Sequence, residues 1–297
     1  MEFVLSAFSD EADETLDGQI AALQAADIHA MEIRGVDGKN IGQVTAAEAR
    51  EIRRRLDDAG IAVSAIGSPY GKIKVSDPFE PHLEAMKRTL EVADILGARY
   101  FRMFSFFLDG RPHEECRDIV FERMETMLTA AEQAGVYCCH ENEKAIYGDR
   151  AAYCLELFRQ FGSRLGCVYD PANFIQCGEN AQEAFALLRP YITYYHMKDA
   201  YYADGTVAPV GEGEGQIAAL LRTIAGEDAT VVLSLEPHLL QFVGLAQLEE
   251  DGGAAIRKHH RFTDNRTAFA YAANALKTTL QQTGYRLQEN KYRFVKE

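Results

Sequence analysis

The sequence has 297 residues, of which 47% are hydrophobic and 26% are charged, a balance that excludes a disordered or fibrous chain. Its formal net charge of −14 would repel nucleic-acid phosphates, so we expect no nucleic-acid partner. No stretch approaches the roughly 18 apolar residues of a membrane span, and acids occur near the start where a signal peptide carries basic residues. We therefore expect a cytoplasmic protein with no membrane partner.

Short apolar runs alternate with amphipathic stretches along the chain. Each run is rich in Val, Ile, Tyr, Phe or Cys, which is typical of parallel strands buried on both faces. We predict eight such strands, at residues 3–8, 30–34, 62–68, 100–106, 136–141, 166–170, 193–198 and 231–236.

Helices are predicted between these strands and after the last one. In the second helical stretch, Ala49, Ile52 and Leu56 recur at three- and four-residue spacing, which places them on one face. Several stretches stop at a glycine, namely Gly60, Gly97, Gly135 and Gly162. The predicted helices are residues 14–26, 46–59, 81–96, 115–134, 150–161, 181–188, 217–225 and 266–282.

Eight strand–helix units without a linker predict one α/β domain over residues 1–297, folded as a (β/α)8 TIM barrel. An open doubly wound sheet is the alternative, but the GxGxxG turn that would favour it is absent after the first strand. Residues 239–265, between the eighth strand and the last helix, are longer than a typical βα loop. In a barrel, such an inserted loop covers the active-site mouth or reaches a partner subunit.

Six cysteines occur without the CxxC spacing of a metal cluster or a redox motif. We predict reduced and mostly buried thiols, because a chain of this size needs no disulfide to stabilise its core. They are Cys116, Cys138, Cys139, Cys154, Cys167 and Cys177.

Four consecutive predicted strands end in side chains that can bind a metal ion, at Glu141, Asp170, His196 and Glu236. In a TIM barrel the carboxyl ends of the strands carry the reactive groups. A single acid at such a position is often a helix N-cap, but four ligands in succession indicate a shared site. Oxygen and nitrogen donors without a thiolate favour a catalytic Mn²⁺, Mg²⁺, Co²⁺ or Zn²⁺ ion over a structural zinc.

Two further residues share strand faces with these candidate ligands. Lys198 lies on the face of His196 and could bind an enolate oxygen or a substrate acid, or form a salt bridge to a nearby carboxylate. Glu143 lies on the face of Glu141 and could orient the substrate, or begin the following loop.

Two arginines near strand ends are also candidates for substrate binding. Arg34 and Arg102 could bind a phosphate or a carboxylate of the substrate. Either could instead pair with an acid of the protein, such as Glu32, Asp10 or Glu11.

Two weaker signals lie late in the chain. The GEGEG run at residues 211–215 could hold an anion through backbone N–H groups or start a helix, and its glutamates argue against phosphate. His259 and His260, within the inserted loop, are expected to form an exposed patch, with a ligand or lid role as the alternative.

Several motifs resemble those of a known family. They are HENEKAIYGD at residues 140–149, VYDPANF at 168–174, HMKDA at 196–200, PVGEGEG at 209–215 and LSLEP at 233–237. SAFSDEA, MEIRG and RMFSFF extend the likeness to the first half of the chain. On these motifs the sequence resembles the sugar phosphate isomerase/epimerase family of xylose-isomerase-like TIM barrels.

The resemblance implies that Glu141, Asp170, His196 and Glu236 hold one divalent cation, most often manganese. Glu141 and Glu236 would be the catalytic pair, one removing a proton next to a carbonyl and the other returning a proton to the opposite face. It implies a metal-dependent isomerase or epimerase of carbohydrate metabolism with a small-molecule carbohydrate substrate. A homo-oligomer, either a dimer or a tetramer, is compatible with it.

One position departs from the family pattern. Ketose epimerases of the family typically carry a histidine three residues after the metal-binding aspartate, where this chain has Asn173. Asn173 can hydrogen-bond a substrate hydroxyl but cannot titrate.

Other functions stay open beside the isomerase. A metal-dependent lyase or dehydratase acting on a sugar or polyol derivative is one, and a non-catalytic sugar-binding barrel is another. Apurinic endonucleases resemble this family, but they need more histidines than these strand ends supply and a basic face, which a net charge of −14 disfavours.

Overall fold

In the computed structural model, which describes residues 2–225, 229–242, 262–288 and 293–296, eight parallel strands close into a barrel. The strands are β1 (Glu2–Ala7), β2 (Ala30–Ile33), β3 (Ala62–Ile66), β4 (Tyr100–Met103), β5 (Cys138–Glu141), β6 (Leu165–Tyr169), β7 (Ile192–Met197) and β8 (Thr230–Leu235). Each pairs with the next in chain order, and β8 closes the ring on β1. The predicted (β/α)8 TIM barrel is therefore confirmed.

Helices follow the strands and pack around the barrel. They are α1 (Leu16–Ala25), α2 (Ala46–Asp58), α3 (Phe79–Leu96), α4 (His113–Gln133), α5 (Ala151–Phe161), α6 (Pro171–Gln176), α7 (Ala181–Leu188), α8 (Ile217–Ile224) and α9 (Asn265–Gln282). Each of the predicted helices overlaps one of these. The short helix α6 was not predicted, because six residues are too few to display a helical period.

Local capping sets the helix ends. α2 begins after Thr45, whose hydroxyl accepts the N–H of Glu48, while the Glu48 carboxylate accepts the N–H of Thr45. α3 ends at Gly97, whose φ of +65° lies in the left-handed region that glycine adopts without strain. The predicted helix stop at Gly97 is therefore confirmed.

The core has two layers, one on each side of the barrel wall. The larger layer packs the strands against the helices and includes Phe3, Ile33 and Leu233, all fully buried. The smaller one takes one residue from each of the strands β3 to β8 and so fills the barrel interior. Its members are Ala65, Tyr100, Cys139, Val168, Tyr194 and Val232.

A C-terminal hairpin that was not predicted from the sequence pairs with the barrel. Its strands, β9 (Tyr285–Gln288) and β10 (Arg293–Lys296), are antiparallel, and β10 pairs with residues 2–4 of β1. The Tyr285 ring lies 4.6 Å from the ring of Phe3, measured between centroids. The hairpin therefore covers the amino end of β1, away from the carboxyl ends of the strands.

All six cysteines are free thiols and five are buried, as predicted. Burial raises the pKa of Cys138 to about 12, which keeps this thiol protonated and unreactive. Among the helices of the described residues, none combines the length and the apolar character needed to cross a lipid bilayer.

The glycine-rich run at residues 211–215 surrounds a carboxylate of the protein itself. Asp199 follows β7, and its buried side chain accepts hydrogen bonds of 2.8 to 3.2 Å from four backbone N–H groups. A Cβ added at Gly213 would lie 2.4 Å from Asp199 Oδ1, so the run needs glycine there. The run therefore forms an anion cradle, one of its two predicted roles. The donors are Ala200, Gly211, Gly213 and Gly215.

We expect Asp199→Ala to lower the free energy of unfolding by about 2–3 kcal/mol, because its N–H donors lose a charged acceptor. Urea denaturation at unchanged slope measures this loss. Asp118→Ala is the matched control, since the Asp118 side chain on α4 is fully exposed, and it should change stability by less than about 0.5 kcal/mol. Equal effects of the two substitutions would contradict a structural role for the cradle.

Candidate metal centre

Polar side chains at the strand ends continue the inner face of the barrel. Side chains alternate between the two faces of a strand, so residues two positions apart share a face. Above the inner apolar layer, this alternation places side chains that are no more than 2% exposed. They are Arg102, Glu141, Asp170 and His196, each two positions after an inner residue, and Glu236, four positions after Val232.

Three of these side chains converge on the imidazole of His196. Nδ1 of His196 lies 2.8 Å from Glu141 Oε1, 3.4 Å from Glu236 Oε2 and 4.0 Å from Asp170 Oδ2. One atom from each of the four side chains lies within 4.8 Å of the others. Because metal–donor distances are about 2.0–2.2 Å, donors this close can share one ion. The structure therefore brings together the four ligands predicted from the sequence.

Asp170 uses its two carboxylate oxygens differently. Oδ1 accepts the backbone N–H of Asn173 at 3.0 Å and caps α6, which begins with Pro171. Oδ2 lies 2.8 Å from Lys198 Nζ but accepts no well-directed hydrogen bond from the described residues. An acid at a strand end can be either a helix N-cap or a metal ligand. Asp170 can fill both roles, because each uses a different oxygen.

Glu32, on β2, contacts the other side of the His196 ring. His196 Nε2 lies 3.2 Å from Glu32 Oε2, and the Tyr194 hydroxyl donates to Glu32 Oε1 at 3.0 Å. Histidine metal ligands commonly donate their second N–H to a carboxylate, which fixes the ring and leaves the other nitrogen to the metal. Glu32 was named from the sequence only as a partner for an arginine. Its position two residues before Arg34, on the same face of the chain, was the sequence signal that could have placed Glu32 in the site.

Two buried cations lie among the carboxylates. Lys198 Nζ lies 2.9 Å from Glu236 Oε2 as well as 2.8 Å from Asp170 Oδ2. Arg102 Nη1 lies 3.1 Å from Glu141 Oε2 and 4.0 Å from Glu236 Oε1. Nε of Arg102 is buried and has no hydrogen-bond partner in the described part of the chain. Lys198 therefore forms salt bridges, one of the two alternatives predicted for it, whereas Arg102 keeps a donor that the described residues do not use.

Arg34 is bonded at all five of its N–H groups. Nε and Nη2 each donate to one oxygen of Asp10 at 2.9 Å, and Nη2 also donates to Glu11 Oε1 at 3.1 Å. Nη1 donates to Glu236 Oε1 at 3.0 Å and lies 3.4 Å from His238 Nε2. The pairing of Arg34 with Asp10 and Glu11, one of the alternatives for this residue, is therefore observed.

Phe8 forms an apolar wall beside these charges. Its ring meets the His196 ring edge-on at 5.2 Å and lies 4.4 Å from Cζ of Arg34. A Cβ at Gly67 would lie 2.5 Å from Phe8 Cε1, so the small residue at position 67 admits the ring. The wall excludes water from one side of the charged cluster, which strengthens its electrostatic interactions.

Phe242 is the last described residue at the start of the predicted inserted loop. Its ring lies 4.5 Å from Cζ of Arg34 and stacks on His238 at 5.5 Å. The loop therefore begins over the candidate site. Residues 243–261, with His259 and His260, lie outside the described residues, and their roles stay predictions.

Burial and mutual charge shift the ionisation of the clustered groups. Burial raises the pKa of Asp170 to about 7, Lys198 opposes this rise, and the charge of Glu236 adds to it. Burial alone would lower the pKa of His196, but Glu141, Glu32 and Glu236 together outweigh it and raise that pKa well above its ordinary value. Burial alone would likewise lower the pKa of Lys198, which Asp170 and Glu236 raise well above normal. The acids therefore keep their buried partners charged.

Asn173 and Glu143, both predicted to bind substrate, border the ligands. Asn173 Nδ2 lies 3.3 Å from Glu141 Oε1 and donates to the Asn142 carbonyl at 2.9 Å. Its Oδ1 is buried without a partner among the described residues. Glu143 lies further along and accepts from Lys72 Nζ at 2.9 Å. Their roles in substrate binding stay predictions.

The donor set and the buried charge fit one divalent cation. The three cations Arg34, Arg102 and Lys198 are outnumbered by six buried carboxylates, an excess of three negative charges when every carboxylate is ionised and His196 is neutral, as a metal ligand must be. A divalent cation would offset most of this charge. Oε2 of Glu141 and Oδ2 of Asp170 lack a directed hydrogen-bond donor among the described residues, as expected of ligand atoms. The six carboxylates are Asp10, Glu11, Glu32, Glu141, Asp170 and Glu236.

Comparison with known proteins identifies the family. The chain belongs to the xylose isomerase-like TIM barrel family, whose model matches residues 20–265. The family expected from the motifs is therefore confirmed. Comparison with curated proteins gave no match.

Solved structures share the fold along nearly their whole length. L-ribulose 3-epimerase superimposes with a TM-score of 0.73 at 18% identity, covering 94% of this chain and 95% of that chain. D-psicose 3-epimerase from Clostridium cellulolyticum H10 gives 0.70 at 13% identity, covering 93% and 97%. The probable 3-DHS dehydratase AsbF from Bacillus anthracis gives 0.69 at 18% identity, covering 92% and 98%. At these identities the likeness shows the fold alone.

We expect Glu32→Gln to weaken Mn²⁺ binding by about 10–100-fold, because the His196 ring loses the carboxylate that orients it. Isothermal titration calorimetry measures the affinity, and circular dichroism confirms that the variant is folded. Glu84→Gln, an exposed substitution on α3, is the matched control and should bind Mn²⁺ like the unmodified protein. An unchanged affinity in Glu32→Gln would rule out this support of His196.

Proposed function

We propose that this protein is a divalent-metal-dependent isomerase or epimerase that acts on a sugar or a sugar derivative. One observation carries the proposal: Glu141, Asp170, His196 and Glu236 are buried at the ends of four consecutive strands, with donor atoms within 4.8 Å of one another. These residues would hold the cation, with Mn²⁺ as our first choice and Mg²⁺, Co²⁺ or Zn²⁺ as alternatives. Family membership supports the proposal, as do the sugar epimerases that share the fold.

When bound at these residues, the cation would polarise a substrate carbonyl and so acidify the proton on the neighbouring carbon. Glu141 on β5 and Glu236 after β8 are three strand positions apart in the barrel, so they approach its axis from different sides. We assign removal of the proton to one of these carboxylates and return of a proton to the other. Return to the opposite face of the same carbon gives an epimer, whereas return to the adjacent carbon interconverts aldose and ketose.

Three side chains retain groups that could bind the substrate. Arg102 has its unpartnered Nε, and Asn173 has its unpartnered Oδ1, within the described residues. Lys198 lies between two candidate ligands, where it could stabilise negative charge on a substrate oxygen. Glu143 keeps its predicted orienting role at the edge of the site. Arg34 has no N–H to spare for a substrate.

Dehydration is the second candidate reaction. It begins with the same proton removal but continues with loss of a hydroxyl group from the adjacent carbon. Asn173 keeps this reaction open, because the histidine typical of ketose epimerases is missing at this position. A dehydratase is also among the proteins that share the fold. The carbohydrate substrate, the homo-oligomeric state and the cytoplasmic location stay predictions.

We expect the protein, loaded with Mn²⁺ and then dialysed, to retain one ion per chain by elemental analysis. Glu236→Gln should weaken binding by roughly tenfold or more, because it removes a charged ligand at nearly constant size. Glu115→Gln, exposed near the start of α4, is the control and should retain the ion. If Glu236→Gln retained the ion as well as the unmodified protein does, the ligand assignment would be contradicted. If the unmodified protein retained no metal, the proposed function would be overturned.

We expect turnover in D₂O to place deuterium on the product carbon, because the proton passes through a carboxylate that exchanges with solvent. A panel of ketoses, their phosphates and inositol derivatives with Mn²⁺ provides the substrates, and mass spectrometry provides the measurement. Glu141→Gln and Glu236→Gln should lower kcat by about 10²–10⁴-fold.

Turnover without any deuterium in the product would contradict proton transfer and indicate a hydride shift instead. A product that has lost one water would identify the dehydratase. Glu115→Gln is the control for both outcomes and should be as active as the unmodified protein, because Glu115 is exposed on the surface.

A further inference from the structure

A second group of potential metal ligands lies next to the first and shares Glu236 with it. The group consists of Glu11, Glu236 and His238, all buried. His238 Nε2 lies 3.5 Å from Glu11 Oε1 and 3.5 Å from Glu236 Oε1. Donor atoms at such separations could also surround one ion. By ligand type and spacing alone, the barrel could hold two neighbouring cations bridged by Glu236.

The guanidinium of Arg34 bonds the same three atoms. Nη2 donates to Glu11 Oε1 at 3.1 Å, and Nη1 donates to Glu236 Oε1 at 3.0 Å. Nη1 also lies 3.4 Å from His238 Nε2. A cation that bound these three atoms would need the space and the lone pairs that Arg34 already uses.

Arg34 is anchored in this position from its other side. Asp10 accepts two parallel hydrogen bonds of 2.9 Å from Nε and Nη2, the bidentate geometry that fixes a guanidinium in its plane. The rings of Phe8 and Phe242 lie 4.4 and 4.5 Å from Cζ. The side chain is only 2% exposed, so it has no route to solvent without breaking these contacts.

The backbone of His238 contributes to the same arrangement. Its φ of +46° lies in the left-handed region that a residue with a Cβ rarely adopts. The N–H of His238 donates to Glu11 Oε2 at 2.6 Å, which holds the residue in this conformation. The imidazole is therefore aimed at Glu11, Glu236 and Arg34 at a cost in backbone strain.

We propose that Arg34 is a built-in cation that takes the place of a second metal ion and limits the centre to one divalent ion per chain. Arg34 is then a positioning residue, which holds Glu236 for the first ion through a hydrogen bond and keeps a second ion out by charge and by occupancy. This inference rests on the proposed cation at Glu141, Asp170, His196 and Glu236.

The test is to count Mn²⁺ ions bound to the full chain with and without Arg34. We expect one ion per unmodified chain in excess Mn²⁺ and two per chain of Arg34→Ala, by calorimetry and elemental analysis. Electron paramagnetic resonance should show isolated Mn²⁺ in the unmodified protein and spin coupling between neighbouring ions in Arg34→Ala. Two control variants should return the count to one: Arg34→Lys, which restores a cation, and Arg34→Ala/His238→Ala, which removes a ligand.

The outcomes separate this inference from the proposed function. One ion in both the unmodified protein and folded Arg34→Ala would overturn the role of Arg34 and leave the proposed function standing. No ion in the unmodified protein would overturn the proposed function itself. Two ions in the unmodified protein would overturn the inference without any variant, so the test does not depend on the folding of Arg34→Ala. Arg34→Gln, closer in volume, provides a second variant.

Discussion

The carboxyl end of the barrel buries six carboxylates around only three fixed cations, Arg34, Arg102 and Lys198, and the geometry around it follows from this imbalance. Unpaired charge in a protein interior is costly. Arg34, Arg102 and Lys198 are accordingly each shared between two or more carboxylates. The remaining charge lies on the acids around His196. The side chains that would bind a cation therefore also affect the stability of the folded barrel.

Strand alternation brings these charges to one place. The inner face of β7 carries Tyr194 and then His196, and Lys198 follows directly after the strand on the same face. Below them, the Tyr100 and Tyr194 rings stack at 5.3 Å and close the barrel interior with apolar surface. The polar layer therefore lies directly on a packed apolar layer. Its side chains face one another and the mouth of the barrel, where a ligand would enter. Of the helices in the described part of the chain, α6 contributes one candidate substrate-binding side chain, Asn173.

The parts of the molecule that were predicted from the sequence are those that local patterns specify. An apolar run that ends in Glu141 or Asp170 contains both the strand and the candidate ligand within a few residues. By contrast, Glu32 meets His196 across 164 residues, and Glu11 meets the N–H of His238 across 227. Such contacts exist only once the barrel closes. The C-terminal hairpin was missed because few of its residues, chiefly Tyr285 and Phe294, are buried, which leaves no clear alternation to detect.

Arg34 and Arg102 illustrate the limit most directly, because the sequence offers no reason to separate them. Arg34 directly follows the apolar strand β2, Arg102 lies within β4, and both are buried. The partners that distinguish them come from elsewhere in the chain: Asp10, Glu11, Glu236 and His238 together take up the donors of Arg34, while Nε of Arg102 has no partner in the described residues. A guanidinium whose donors are all bonded to the protein acts as a fixed charge, whereas one with a buried donor to spare can still recognise a ligand. The number of unused N–H groups, rather than residue type or burial, therefore separates these two arginines.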